Sequence, residues 1–273
     1  DERIRAVILN GSRANPIAPR DFFQDFDIVY VVTEMKPFMP GSHWIDRFGE
    51  LMILQLPDDF TGTTPAADGS YGYLMQFMDG NRIDLTFVPL DKTSAMPKDS
   101  QTILLLDKDG IFPPFPPASD DDNLVKPPTA KLYFECCNEF WWVSPYVAKG
   151  LWRQEITYYK AMQDHYVREQ LMKMLNWYVG IHTNFSKSTG KEGKYLQRFL
   201  EPELWEMLLR TYAGASPEET WKALFAMTDL FRRVAIPVAA FFGFTYLYED
   251  DERVTTHLKH VHTLPHDAKE MYP

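Results

Sequence analysis

The stretches Asn-Gly-Ser-Arg at residues 10–13 and Asp-Phe-Asp-Ile-Val-Tyr-Val-Val at residues 25–32 decide the fold of the N-terminal half of the chain. The first follows a short apolar run at residues 5–9, which predicts a β-strand that stops at a tight turn. The second is rich in β-branched and aromatic residues, as buried strands are. The sequence therefore predicts two strands, with a Gly-Ser turn directly after the first one.

Three carboxylates lie on predicted strands. Asp25 and Asp27 open the second strand, and alternation puts both on one face, about 7 Å apart along the backbone. Asp84 lies in Arg-Ile-Asp-Leu-Thr-Phe at residues 82–87 and faces away from its apolar neighbours. An acid midway along an apolar strand is unfavourable unless it is paired or bound to a metal. Because such carboxylates can share two divalent ions about 3.5 to 4 Å apart, we predict a site for a nucleoside triphosphate–metal complex.

The turn at Gly11 and Ser12 supplies groups that suit a phosphate. Gly11 lets the backbone approach a phosphate closely because it has no Cβ, and Ser12 offers a hydroxyl and an amide N–H as donors. Arg13 is available as a cationic clamp. A Gly-Ser turn and an Asp-x-Asp pair are each common, whereas the order strand, Gly-Ser, spacer, Asp-x-Asp, hairpin, Asp is much more specific. We predict that Gly11, Ser12 and Arg13 contact the triphosphate.

The rest of the first half continues as a mixed sheet. Further strands are predicted at residues 48–56, 71–78 and 82–88. The last two flank Asp79-Gly80-Asn81, a strong signal for a hairpin turn. Residues 1–112 therefore form a domain in which a mixed sheet has flanking helices.

A change of composition ends this domain. Residues 111–130 contain six prolines and three consecutive aspartates, which neither a helix nor a central strand accommodates. We predict a linker at residues 113–128 and a helical domain at residues 129–273. Helices are predicted at residues 129–164, with a bend at Pro145, and at residues 166–182, 202–212 and 217–236. The fold class is α+β, a mixed sheet followed by an all-α domain.

The last of these helices has clear end signals. Ser216-Pro217-Glu218-Glu219 is a capping box with proline at the first helical position. Pro237 is predicted to interrupt the helix, because proline removes one helical hydrogen bond.

Composition limits the partners. The net charge is −10 and the sequence pI is about 5.2, which favours a small cationic ligand over nucleic acid, whose binding needs a basic surface. No stretch approaches the roughly 18 apolar residues of a membrane span. The two cysteines, Cys136 and Cys137, are adjacent and cannot form a secreted-type disulfide framework. We expect a reduced, cytoplasmic monomer.

The helical domain contributes weaker candidates. Lys149 and Lys194 are cations that could reach a triphosphate, although each could equally be a solvated lysine. Glu135 and Glu139 lie one turn apart on one helix face and could bind cationic groups of an acceptor. Trp142 is a candidate for the wall of the substrate site, while most tryptophans lie in a core.

Several of these stretches together resemble one family. They are DERIRAVILNGSR at 1–13, FQDFDIVYVV at 23–32, YLMQFMDGNRIDLTF at 73–87 and CCNEFWWVSPYVAKGL at 136–151. They are similar to the streptomycin-modifying aminoglycoside 6-adenylyltransferases, within the polymerase-β-like nucleotidyltransferase superfamily. The resemblance covers nearly the whole chain and implies a nucleotidyltransferase domain followed by a helical domain, with substrates bound in the cleft between.

The resemblance also implies an activity, the transfer of AMP from ATP to the 6-hydroxyl of streptomycin. It implies that Asp25 and Asp27 hold two Mg²⁺ ions and that Asp84 acts as the base and also touches metal. Three alternatives stay open on the residues alone. The first is the same chemistry on another acceptor, such as a lincosamide, another aminoglycoside or a protein. The second is a nucleotide-binding module without catalysis, and the third is an interaction scaffold.

Overall fold

The N-terminal unit of the computed structural model, Asp1–Asp122, is built on one six-stranded sheet. The structure describes residues 1–40, 43–64, 66, 68–96 and 99–272. The strands are β1 (Ile4–Asn10), β2 (Phe26–Val32), β3 (Leu51–Gln55), β4 (Tyr71–Phe77), β5 (Arg82–Pro89) and β6 (Thr102–Asp107), in the order β3-β4-β5-β2-β1-β6. β2 and β5 pair in parallel and the other neighbours pair antiparallel. The predicted mixed sheet is thereby confirmed.

The central strands bury apolar side chains on both faces of the sheet. On one face, Tyr73 and Phe87 pack with Phe38 and Trp44, which come from short 3-10 turns at Lys36–Phe38 and His43–Phe48. On the other face, Ile8, Val29 and Val88 are covered by Phe112 and Phe115 of the proline-rich segment. The first part of that segment therefore closes the apolar sheet, since it carries phenylalanines between its prolines.

The described flanking elements of this unit are short 3-10 turns, where longer helices were expected. Among the described residues, the connection from β2 to β3 contains the turns Lys36–Phe38 and His43–Phe48, and the connection from β3 to β4 contains the turn Pro57–Asp59. The predicted hairpin is present, with Gly80 N–H donating to Phe77 O at 3.0 Å. β6 was not predicted, because its run of Ile and Leu lacks the alternation of a half-buried strand.

The second unit, Asn123–Pro273, is helical. Its helices are α1 (Ala130–Trp152), α2 (Ile156–Ala161), α3 (Arg168–His182), α4 (Pro202–Arg210), α5 (Pro217–Phe242) and α6 (Tyr248–Thr263). A π-helical turn, Met162–Val167, joins α2 to α3. Phe140 of α1 stacks on Phe231 of α5 with ring centroids 3.8 Å apart, in the centre of the core. The division between the two units lies inside the predicted linker, 113–128.

Two helix ends differ from the sequence prediction, and both prolines singled out there lie inside helices. The helix predicted at 129–164 stops at Trp152, because Gln154 adopts a left-handed conformation with φ of 59°. Pro145 lies inside α1, where Val143 and Val147 are buried on either side of it. Pro237 likewise lies inside α5, which continues to Phe242. Burial of the surrounding apolar side chains outweighs the cost of a proline in both helices.

The predicted cap at the start of α5 is confirmed, since Ser216 Oγ accepts a hydrogen bond from Glu219 N–H at 3.5 Å. In the described part of the chain, none of the helices combines the length and apolar character that crossing a bilayer would require.

Candidate active site

A row of polar side chains crosses the centre of the sheet. Strand register pairs Asn10 of β1 with Asp27 of β2, and Asp27 with Asp84 of β5. Residues paired across neighbouring strands point to the same face, with Cβ atoms about 4.5 to 5.5 Å apart. Asp25 directly precedes β2, two residues before Asp27. The structure therefore brings together the three carboxylates that the sequence singled out.

An arginine lies among these carboxylates. Arg82 Nε donates to Asp84 Oδ1 at 2.8 Å and its Nη2 donates to Asp84 Oδ2 at 2.7 Å. Its Nη1 lies 3.6 Å from Asp25 Oδ2. Arg82 and Asp84 are two residues apart on β5 and so share a face. The sequence analysis did not select Arg82, although this same i, i+2 spacing was the available signal.

The electrostatics of the cluster centre on Asp27. Burial, together with the neighbouring charges of Asp84 and Asp25, raises the pKa of Asp27 to about 6, although the charge of Arg82 acts in the opposite direction. A carboxylate that is hard to ionise beside two others creates a place where a positive charge is strongly favoured. The cluster is therefore a cation-binding position by its own electrostatics.

Gly11 is required at the turn next to Asp27. Its φ is +71°, and a Cβ added there would lie 2.2 Å from Asp27 Oδ2. The N–H of Gly11 donates to Gln101 O at 3.0 Å, so that this donor is already engaged. Gly11 thus allows the turn to lie against a carboxylate, and the donors for a phosphate fall to the residues that follow.

Ser12 and Arg13 are tied to the segment that leads into Asp25. Gln24 Nε2 donates to Ser12 O at 3.1 Å and to Ser12 Oγ at 3.3 Å. Arg13 donates to the carbonyls of Gln24 and Asp25 at 2.8 to 3.2 Å, and its guanidinium lies 3.6 Å from the ring centroid of Phe26. Arg13 therefore fixes the approach to the acids in this structure, and its predicted contact with a triphosphate stays a prediction.

The residues suit magnesium best when a substrate supplies further ligands. Within the described ranges, no group of three or more His, Cys, Asp or Glu side chains is arranged to hold a metal ion alone. Mg²⁺ is usually held by one or two carboxylates together with substrate phosphates and water. Asp25 and Asp27, next to the Ser12 turn, match that kind of site.

Four of the five candidates of the helical unit lie on one face of α1. Glu135, Glu139, Trp142 and Lys149 follow one another at intervals of three, four or seven residues, and all are exposed. Trp142 has 63% of its surface accessible. Glu135 pairs with Lys131 at 3.7 Å.

The two lysine candidates have aromatic neighbours. Lys149 Nζ lies 4.7 Å from the ring centroid of Tyr146. Lys194 lies in the loop between α3 and α4, exposed, with its Nζ 5.1 Å from the ring of Tyr195. Neither makes an ion pair among the described residues that would fix its ammonium group elsewhere.

A Gly-Ser turn beside strand acids on a mixed sheet, followed by a helical unit, is the arrangement of a nucleotidyltransferase. The family model for streptomycin adenylyltransferase matches residues 1–261. The chain belongs to the streptomycin adenylyltransferase family.

Named relatives agree with this assignment. An aminoglycoside 6-adenylyltransferase of Campylobacter jejuni is 40% identical over 94% of this chain and 89% of its own length. The Bacillus subtilis protein of the same name is 37% identical over 96% of this chain and 93% of its own length. The crystal structure of an aminoglycoside 6-adenyltransferase from Bacillus subtilis matches with a TM-score of 0.50 and 33% identity, over 97% of this chain and 94% of that one. The predicted family and the predicted fold class are thereby confirmed.

Proposed function

We propose that this protein transfers AMP from ATP to a hydroxyl of an aminoglycoside, most specifically the 6-hydroxyl of streptomycin, and so confers resistance to it. The observation that carries the chemistry is the pairing of Asp27 with Asp84 across β2 and β5, with Asp25 two residues away. Three carboxylates beside a Gly-Ser turn suit a reaction in which charge develops on a triphosphate. The names of the relatives supply the acceptor class.

Asp25 and Asp27 would hold Mg²⁺ together with the phosphates of ATP. Two such ions, when bound, would neutralise the triphosphate and lower the pKa of the acceptor hydroxyl. Ser12 would donate to the phosphates from its hydroxyl, which Gln24 already orients. We further propose that Arg13, Lys149 and Lys194 supply positive charge to the triphosphate.

The reaction is an in-line displacement. The acceptor oxygen forms a bond to the α-phosphorus of ATP, and the bond from that phosphorus to the oxygen bridging the α- and β-phosphates breaks. Pyrophosphate leaves, and Asp84 takes the proton of the hydroxyl. Asp84 has 20% of its side chain accessible, so an acceptor can reach it from solvent. A positioned base of this kind contributes about 10²- to 10⁴-fold.

Recognition of the acceptor is proposed to depend on electrostatic attraction. Streptomycin is a polycation, and the chain has a net charge of −10. Glu135 and Glu139, exposed on α1, would attract its guanidinium groups, while Trp142 offers an apolar face to its rings. Cys136 and Cys137 are buried and free of disulfides, which supports a reducing, cytoplasmic setting for the proposed monomer.

Mass spectrometry tests this function. Streptomycin incubated with the protein, ATP and Mg²⁺ should gain one AMP group, and NMR of the product should place it on the 6-hydroxyl. The Asp84→Asn variant should still bind ATP with Mg²⁺ and lose at least about a hundredfold in rate. Unmodified streptomycin alongside rapid modification of a lincosamide or a protein side chain would show that the acceptor is wrong.

A further inference from the structure

Arg82 occupies both oxygens of the carboxylate proposed as the base. The two hydrogen bonds to Asp84 form a fork, at 2.8 and 2.7 Å, the geometry in which arginine binds carboxylates most strongly. The third guanidinium nitrogen lies beside Asp25. One side chain thus neutralises two of the three acids.

This arrangement works against the proposed reaction. A carboxylate whose two oxygens both accept from a guanidinium is poorly placed to take a proton from an acceptor hydroxyl. A guanidinium beside Asp25 and Asp84 also repels a divalent cation at short range. Displacement of Arg82 from Asp84 would remove both obstacles.

We propose that Arg82 is a built-in counter-ion that holds Asp84 inactive until ATP and its metal arrive, and that it then transfers to the triphosphate. This inference rests on the proposed function. Its consequence is an order of events, in which the nucleotide binds first and releases the base for the acceptor.

The side chain can make this movement. Arg82 keeps 40% of its side chain accessible and lies on the same strand face as Asp84, so that its guanidinium can swing without disturbing the core. Phosphate oxygens are equally good partners for the arginine fork. A cation bound to Asp25 would at the same time weaken the ion pair between Asp25 and Arg82.

Binding of Mn²⁺ alone, measured by calorimetry, tests the inference without any need for turnover. Without nucleotide, Arg82→Gln should bind Mn²⁺ about tenfold or more tightly than the unaltered protein, because a positive charge beside the ion is removed. With a non-hydrolysable ATP analogue present, the two proteins should differ by less than about twofold in Mn²⁺ affinity, since Arg82 has then already moved.

Arg5 provides a matched control. It forms the same forked pair, with Asp109, on the same sheet but away from the acids. Arg5→Gln should leave the Mn²⁺ affinity unchanged. If Arg82→Gln fails to fold, Arg82→Lys takes its place, with a smaller gain of a few-fold because a single ammonium replaces the fork.

Unchanged or weaker Mn²⁺ binding by Arg82→Gln, or a gap that persists with the analogue, would overturn the inference. Failure of the proposed function has a different signature, since the unaltered protein would then leave streptomycin without AMP whatever the Mn²⁺ titrations showed.

Discussion

The acid row of the sheet and the polar face of α1 hold their side chains in different ways. In the sheet, strand register sets Asp27 against Asp84, and both take part in a compact network of charges. On α1, Glu135 and Trp142 are exposed, and Glu135 contacts only a lysine one turn away among the contacts described. The backbone thus fixes the groups proposed for chemistry, whereas those proposed for recognition remain free to adjust to a ligand.

The sharpest test of this contrast is removal of a fixed acid. Asp25→Asn and Asp27→Asn should each reduce the rate of AMP transfer by about a hundredfold or more, because they remove groups that no neighbour can replace. Circular dichroism should show an intact fold. Asp109→Asn, an acid of the same unit outside the row, should keep nearly full activity. If a variant at Asp25 or Asp27 kept more than about a tenth of the original rate, the substituted carboxylate would not be needed to hold the metal.

A second test disturbs the position of an acid and leaves its charge in place. Gly11→Ala puts a methyl group 2.2 Å from Asp27 Oδ2 and should lower kcat about tenfold or more, since small displacements of catalytic groups are costly. Gly80→Ala is the control, because Gly80 also has a positive φ but its added Cβ meets nothing within 4 Å. Equal losses in both variants would mean that backbone strain, and not contact with Asp27, is responsible.

On α1 the expected effects are smaller and confined to one substrate. Glu135→Gln should raise the KM for streptomycin a few-fold and leave the KM for ATP unchanged, because it removes a ground-state contact to the acceptor. Raised salt should shrink the difference, since exposed charges are screened. Glu169→Gln on α3, which also removes an exposed glutamate paired one turn away, should change neither constant. A rise in the KM for ATP would indicate that Glu135 contacts the nucleotide and not the acceptor.

The smallest expected effect concerns stability. The pKa of Asp27 is raised to about 6, so that its ionisation costs more in the folded protein than in the unfolded chain. Without metal, the free energy of unfolding therefore falls as the pH rises from the ordinary aspartate pKa to about 6, because the folded state binds the proton more tightly than the unfolded chain does. In EDTA at about pH 8, Asp27→Asn should therefore melt a few degrees higher than the unaltered protein. At about pH 4 the two proteins should melt at nearly the same temperature. A variant that melts lower at the higher pH would contradict this reading.

The acids could be predicted because strand alternation is a local property of the sequence. Their pairing could not, since Asp27 and Asp84 meet through parallel strands that are far apart in the chain. The engagement of Asp84 by Arg82 depends on rotamers, and the contacts of Arg13 with two carbonyls depend on how the loop before Asp25 folds back. Neither leaves a local pattern.

The helix ends also differ in whether local sequence or tertiary packing determines them. The Ser216 cap was predictable because its hydrogen bond lies within four residues. The break at Gln154 was not, because neither glycine nor proline marks it and the left-handed φ is imposed on an ordinary residue. The continuation of α5 through Pro237 depends on burial of Val234 and Val238, which becomes visible only once the helices are packed.

The parallel pairing of β2 and β5 has a consequence for engineering. Because the register between these strands holds the acids in place, the length of the chain that connects them is free to vary. Gly62, in the turn between β3 and β4, is exposed, has φ of +86° and would meet nothing within 4 Å if a Cβ were added. A ligand-binding module spliced in at Gly62 would lengthen the connection while leaving the strands in register. Such a chimera would make antibiotic resistance a growth-selectable reporter for whatever the inserted module senses.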